Sequence, residues 1–188
     1  MMTPCKRGRN LLRERLHAST LPFTAFAERI HAAEVARVPG TAVFMYSDPK
    51  GTPPALLHNL EHNRVLHEEV ILLSVETHEV PRIPAAERGE SKRLAKGFSQ
   101  VILHYGYMEN PNVPRDLARL ARSHDLHFDP RRASYFLGRE RLLAAKRPGM
   151  ALWREQLFAL MSRKARNATD FFQLPPDRVV ELGAQVEL

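Results

Sequence analysis

Apolar residues recur along this chain in two rhythms, one suited to helices and one to buried strands. Phe23, Phe26, Ala27 and Ile30 fall on one face of a short helix from Pro22 to Ala33. A β-branched and aromatic run from Thr41 to Tyr46 predicts a buried strand, ended by the turn-forming Ser47-Asp48-Pro49-Lys50-Gly51. A helix follows at once and runs to about Asn63: Thr52 is placed to cap it, and Pro53 fits its first turn, where a missing amide donor costs nothing. Glu69 to Glu76 is so continuously apolar in its middle that it predicts a central strand covered on both faces, which completes a β-α-β unit.

Pro81 to Arg93 is polar and carries two prolines, so it reads as a long loop with an added strand at Ser91 to Leu94, ahead of a strand over Gly97 to Tyr107. Leu117, Leu120 and Ala121 set a helix over Val113 to Ser123. Arg132 to Leu143 reads as one strand, or as two bent at Gly138. Gly149 to Arg166 is the longest helix, with a stripe of Leu152, Trp153, Leu157, Leu160 and Met161, and with Arg163, Lys164 and Arg166 at its negative dipole end. A helical turn over Thr169 to Leu174, a stop at Pro175-Pro176 and a last strand from Arg178 to Leu188 close the chain. The expected fold is α/β (mixed α+β), a central mixed sheet flanked by helices in a single domain over residues 21–188. Residues 1–20 form a basic arm, in which Lys6 to His17 makes a helix with Leu11, Leu12 and Leu16 on one edge. Such an arm suits either the exit from a membrane span or a surface and partner-binding helix.

At 188 residues and 44% hydrophobic content the chain is long enough to bury one core. Its longest apolar run, Val70 to Val75, is strand-sized and broken by Ser74, far short of the roughly 20 residues of a membrane helix. A lone Cys5 excludes an internal disulfide and fits a reducing, cytoplasmic setting, and Met1 to Thr20 lacks the apolar core of a secretory signal. The net charge of +7 is unevenly spread: Lys6, Arg7, Arg9, Arg13 and Arg15 against Glu14 leave +4 in the first 15 residues and only +3 on the rest. With aromatics at 7% and no basic stripe interleaved with them, a nucleic-acid partner is not expected.

Two short motifs offer chemistry. His58-Asn59-Leu60-Glu61-His62 matches H-x-x-E-H, two imidazoles one helical turn apart with a carboxylate beside them, the pattern of a zinc-dependent hydrolase. It requires a third ligand, for which His67, His78 and His104 are the available histidines. The plainer reading gives these histidines a structural role beside neighbouring loops. The turn from Ser47 to Thr52, with Lys50, enters a helix amino terminus where an anion or nucleotide phosphate can dock, although Lys50-Gly51-Thr52 has the wrong order for a P-loop. There is no G-x-S-x-G elbow, Asn167-Ala168-Thr169 is a formal sequon that reads more simply as a helix cap at Thr169, and Tyr135-Phe136-Leu137-Gly138 and Trp153 read as core.

Taken together, Val38-Pro39-Gly40-Thr41-Ala42-Val43-Phe44, Pro53-Pro54-Ala55-Leu56-Leu57-His58-Asn59 and Gly106-Tyr107-Met108-Glu109 resemble the carboxy-terminal cytoplasmic domain of the KUP family of potassium uptake transporters. The resemblance continues in order through Ser134-Tyr135-Phe136-Leu137-Gly138-Arg139-Glu140, Pro148-Gly149-Met150-Ala151-Leu152-Trp153-Arg154, Ala168-Thr169-Asp170-Phe171-Phe172 and Arg178-Val179-Val180-Glu181-Leu182-Gly183, and covers Arg37 to Leu188. It implies proton-coupled potassium uptake across the bacterial inner membrane, by a protein whose ion path lies in membrane helices ahead of this segment. The domain would be an accessory or regulatory part on the cytoplasmic face, partnered by that membrane portion, with a homodimer and a nucleotide regulator as further partners. The resemblance carries over no catalytic residue, cofactor or metal ligand, because coupling carboxylates and ion-coordinating backbone belong inside the bilayer.

Overall fold

The computed structural model describes residues 22–32, 35–49, 51–123, 126–143 and 168–187. Six strands, β1 (Ala36–Met45), β2 (Val65–His78), β3 (Gly89–Ala95), β4 (Phe98–Gly106), β5 (Ser134–Leu143) and β6 (Val179–Glu187), form one sheet in the order β3-β4-β2-β1-β5-β6. Every neighbouring pair is parallel except the β3–β4 edge hairpin. The described helices are α1 (Phe23–Ala32), α2 (Pro54–Asn63), α3 (Val113–Ser123) and the single turn α4 (Ala168–Phe171). Parallel strands need long connections, so helices are carried to the faces of the sheet and the central strands are buried on both sides.

Period-two alternation sorts the strand residues into two layers. On one face Val43, Ile71, Leu73, Val101, Leu103, Tyr105, Tyr135 and Leu137 gather against Val113, Leu117 and Leu120 of α3 and against Leu174. On the other, Ala42, Phe44, Val70, Leu72, Phe98 and Phe136 meet Phe26 of α1 and Ala55 and Leu56 of α2. Val70 to Leu73 are buried in succession, as the unbroken apolar run requires. Each such large side chain contributes about 1.5–3 kcal/mol by leaving water. Phe44 stacks on Phe136 at 4.5 Å between ring centroids, and Phe26 meets Phe98 edge-on at 6.1 Å.

The local chemistry departs from expectation at several places. Thr52 does not cap α2; its hydroxyl is buried with no hydrogen-bond partner among the described residues, Pro53 is the N-cap residue and Pro54 opens the helix. Thr52 therefore stands one residue too early to reach the first-turn amides. The helix ends at Arg64, which adopts φ 54 and donates its amide to Leu60. In β1 the register shifts between Val38 and Thr41, where Pro39 has no amide to give and Gly40 takes φ 110. β5 runs unbroken through Gly138 but starts at Ser134, because the Arg132 and Ala133 amides turn back to the Asp129 carbonyl. The strand expected at Ser91 to Leu94 is present and longer, and the central strand extends beyond Glu69 to Glu76 at both ends. The basic helix over Lys6 to His17, the long helix over Gly149 to Arg166 with Trp153, and Asn167 lie outside the described residues.

Candidate functional site

Among the described residues, neither of the two motifs builds a site. His58, Glu61 and His62 are all exposed on α2, with the two rings 5.7 Å apart, and among the described residues no group of three metal-ligating side chains includes them. The loop-bracing role expected of these histidines falls instead to Asn59 between them, which is buried, donates to the Val65 carbonyl at 3.1 Å and accepts from Asn63 at 2.9 Å. His67 lies edge-on to Phe136, on the other side of that connection. The turn before α2 offers a phosphate little of the amide row it needs. Pro53 and Pro54 carry no amide hydrogen, and the Gly51, Leu56 and Leu57 amides already donate to the Asp48 and Pro53 carbonyls. Gln100 donates to the Pro49 carbonyl and ties the turn to the sheet, while Lys50 lies outside the described residues.

Polar chemistry concentrates at three other places. The first lies on the α1/α2 face, beyond the helices, where the β2 and β4 patterns turn polar. Glu76 and His104 are cross-strand partners, and His78 projects to the same side two residues on. His78 Nε2 is 2.9 Å from His104 Nδ1, and Glu76 Oε2 is 3.9 Å from the former and 3.6 Å from the latter. His104 Nε2 is shielded from solvent and lies 3.3 Å from Glu90 Oε1 of β3, with no formed hydrogen bond among the described residues. Two imidazoles and a carboxylate so arranged can share a proton or hold a cation.

The second is a charge network on the α3 side, where the loop before β3 folds over the end of β4. Arg88 pairs with Glu109, donates to the Ile83 carbonyl at 2.7 Å and lies 3.7 Å from Asp116. Tyr105 Oη donates to Asp116 Oδ2 at 2.8 Å, and the Arg88 guanidinium rests 5.1 Å over the Tyr105 ring. Burial pushes the Tyr105 phenol up, and the Asp116 hydrogen bond and charge push it further. Burial also raises the Glu109 carboxyl, but hydrogen bonds from the Gly106 amide, the Arg88 guanidinium and the Ile83 amide outweigh it and hold Glu109 below its ordinary value. Pro81 approaches so close that a Cβ on Gly106 would strike its carbonyl. The network is a brace whose charges are spent on one another.

The third is a groove of about 760 Å³ between α3 and the segment from Gln173 to Arg178. Arg115, Arg119, Arg122, Arg131 and Arg178 line it, with Asp177 the one acid among the described lining residues; Arg115 is held by Asp116 at 3.0 Å and Arg178 lies 3.6 Å from Asp177. Asn112 caps the helix above it, accepting from the Arg115 amide at 3.0 Å and donating to Gln173 at 2.7 Å across the groove's end.

Comparison with known proteins places this architecture. Residues 39–188 match the model of the K+ potassium transporter C-terminal domain. The probable potassium transport system protein Kup of Myxococcus xanthus is 53% identical over 188 residues, covering 100% of this chain and 29% of that protein. The protein of the same name from Erythrobacter litoralis is 46% identical over 188 residues, 100% of this chain and 30% of the relative. The probable potassium transport system protein Kup 1 of Geobacter sulfurreducens is 49% identical over 189 residues, again 100% and 30%. The chain belongs to the K+ potassium transporter C-terminal domain family. It spans under a third of the length of these relatives, at 29–30%. No solved structure matches it.

All three polar places fall within the span matched to this transporter domain family. The sequence names His78 and His104 only as partners for the α2 histidines. Period-two spacing puts Glu76 and His78 on one face, but that His104 stands opposite them depends on strand pairing, which no local pattern reveals. Arg115, Arg119 and Arg122, at helical spacing on α3, are the one sequence signal for the groove.

Proposed function

We propose that this chain is the cytoplasmic accessory domain of a proton-coupled potassium uptake transporter of the bacterial inner membrane, and that it regulates transport rather than conducting ions. The observation that carries this reading is coverage: relatives named as potassium transport proteins match the whole chain, yet the chain accounts for only 29–30% of their length. No helix among the described residues is long and apolar enough to cross a membrane. In this reading the ion path lies elsewhere in the protein, residues 1–20 form a basic juxtamembrane arm and residues 21–188 form the regulatory domain. Its partners are the membrane portion of the same transporter and, in a dimer, a second copy. It acts by contacting inward-open and outward-open states unequally, since only differential contact shifts such an equilibrium.

A second reading, nucleotide sensing, draws support from the arginine-lined groove, whose forked donors suit phosphate oxygens. One experiment with two arms tests both. Potassium uptake is measured in proteoliposomes for a full-length transporter ending in this chain and for the same protein cut after residue 20. Regulation predicts a several-fold change in maximal rate or affinity with assembly intact; unchanged rate, affinity and assembly would dispose of it. In the other arm, adenine nucleotides and cyclic dinucleotides alter uptake by the full-length protein and not by its Arg119→Glu/Arg122→Glu variant. Equal uptake with and without nucleotide eliminates the sensing reading while leaving the regulatory one standing.

A further inference from the structure

We propose that Glu76, His78 and His104 bind a divalent transition-metal ion of the zinc type, with Glu90 as the carboxylate behind His104. The three donor atoms, His78 Nε2, His104 Nδ1 and Glu76 Oε2, form a triangle with edges of 2.9, 3.6 and 3.9 Å. A tetrahedral ion with bonds of about 2.0–2.1 Å holds its ligands roughly 3.3–3.4 Å apart. The two ring nitrogens need to part by about half an ångström and the carboxylate to close by a similar amount, which are side-chain rotations at the edge of a tetrahedron already drawn.

Three further features favour an ion over a bare hydrogen-bonded cluster. The donors are anchored on β2 and β4, paired directly at Glu76 and His104, so little backbone entropy is lost on binding. His104 presents Nδ1 to the triangle while its Nε2, shielded from solvent and without a formed hydrogen bond among the described residues, faces Glu90 at 3.3 Å. A metal-ligating imidazole with its second nitrogen directed to a carboxylate is the usual outer-shell arrangement, and it fixes the tautomer that leaves Nδ1 free to bind. Finally, two imidazoles and one carboxylate favour Zn²⁺, Co²⁺, Ni²⁺ or Cu²⁺ over Ca²⁺ or Mg²⁺, which prefer oxygen cages. With Glu76 and His78 each nearly half exposed, a fourth position stays open to water. The ion would staple β2 to β4 and, through Glu90, to the β3 edge. This inference is independent of the transport reading.

The test is Co²⁺ titration of the 188-residue chain after treatment with a chelator, followed by displacement with Zn²⁺. The expected result is one ion per chain, the visible absorption of four-coordinate Co²⁺, its loss on adding Zn²⁺, and a Zn²⁺-dependent rise in melting temperature. His78→Ala, an exposed position whose loss leaves the core untouched, weakens binding about 100-fold or more, and Glu90→Gln weakens it about tenfold. His58→Ala/His62→Ala binds as the parent does. Wild-type protein that takes up no Co²⁺, binding that survives in His78→Ala, or binding lost only in the His58→Ala/His62→Ala variant would each overturn the assignment.

Discussion

Two buried tyrosines on the same face of the sheet show how one hydroxyl can brace a fold while another burdens it. Tyr105 and Tyr135 are 1% and 0% exposed, and burial is the leading reason both phenols are pushed up from their ordinary values. Tyr105 donates to Asp116, itself buried in the first turn of α3, whereas Tyr135 Oη has no hydrogen-bond partner among the described residues. Tyr105→Phe therefore leaves a buried carboxylate short of a donor and should cost about 1–2 kcal/mol. Tyr135→Phe removes only an unsatisfied group and should be neutral or stabilising by up to about 1 kcal/mol. Urea unfolding of the two variants measures the contrast, and equal losses would contradict this account of Asp116. The sequence marks Tyr135 correctly as core, but nothing local separates it from Tyr105. The difference is a helical residue 11 positions past Tyr105, brought beneath it by the β4-to-α3 connection.

At the level of elements, legibility follows burial. Strands with continuous apolar runs, such as Thr41 to Tyr46 and the middle of β2, are readable because cover on both faces leaves no polar positions to confuse the pattern. The ends of β2 are not, since Val65 to Glu69 and Glu76 to His78 mix polar and apolar residues and owe their strand form to pairing with β1 and β4. β3 is charged and exposed, as suits an edge strand, so propensity suggests only its middle. The turn after it is not marked by the pattern, which starts the next strand at Gly97; there the backbone takes φ 72, and a Cβ would strike the Glu68 carbonyl. Helix α1 tests whether the amino-terminal boundary belongs to the core. Phe26 is 1% exposed and sits between Phe23 and Phe98, at 5.9 and 6.1 Å. Phe26→Ala should lower unfolding free energy by about 3–5 kcal/mol, as truncation of a buried aromatic does. A loss under about 1 kcal/mol, the range of surface substitutions, would mean that α1 only rests on the sheet. The candidate sites were less legible than the fold because each joins residues from separate strands or loops; in the readable five-residue motif on α2, His58, Glu61 and His62 face outward and meet no third ligand among the described residues.

Across the whole molecule, two groups on opposite sides of the sheet titrate in the same destabilising sense on acidification. On one side, burial lowers the pKa of His67, whose Nδ1 is shielded beside Phe136 and has no partner among the described residues, while Arg37 occupies its backbone carbonyl. The folded state thus resists protonating His67, and the unfolded chain binds that proton first once the pH drops below about 6.5. On the other side, Glu109 is held below its ordinary value, so its contribution is complete above about pH 4.3, the unfolded value, and is lost as the pH falls through the lower folded one. Stability measured by urea midpoint against pH, with a chelator present to keep histidines metal-free, should therefore fall in two stages. His67→Gln should flatten the first stage and leave the second. Glu109→Gln should do the reverse, at a cost of about 2 kcal/mol at neutral pH, because Arg88 then loses the nearer of its two carboxylates and keeps only Asp116 at 3.7 Å. A profile unchanged by either substitution would place the acid sensitivity in other groups and would free Arg88 and Glu109 from the bracing role that joins the loop before β3 to the end of β4.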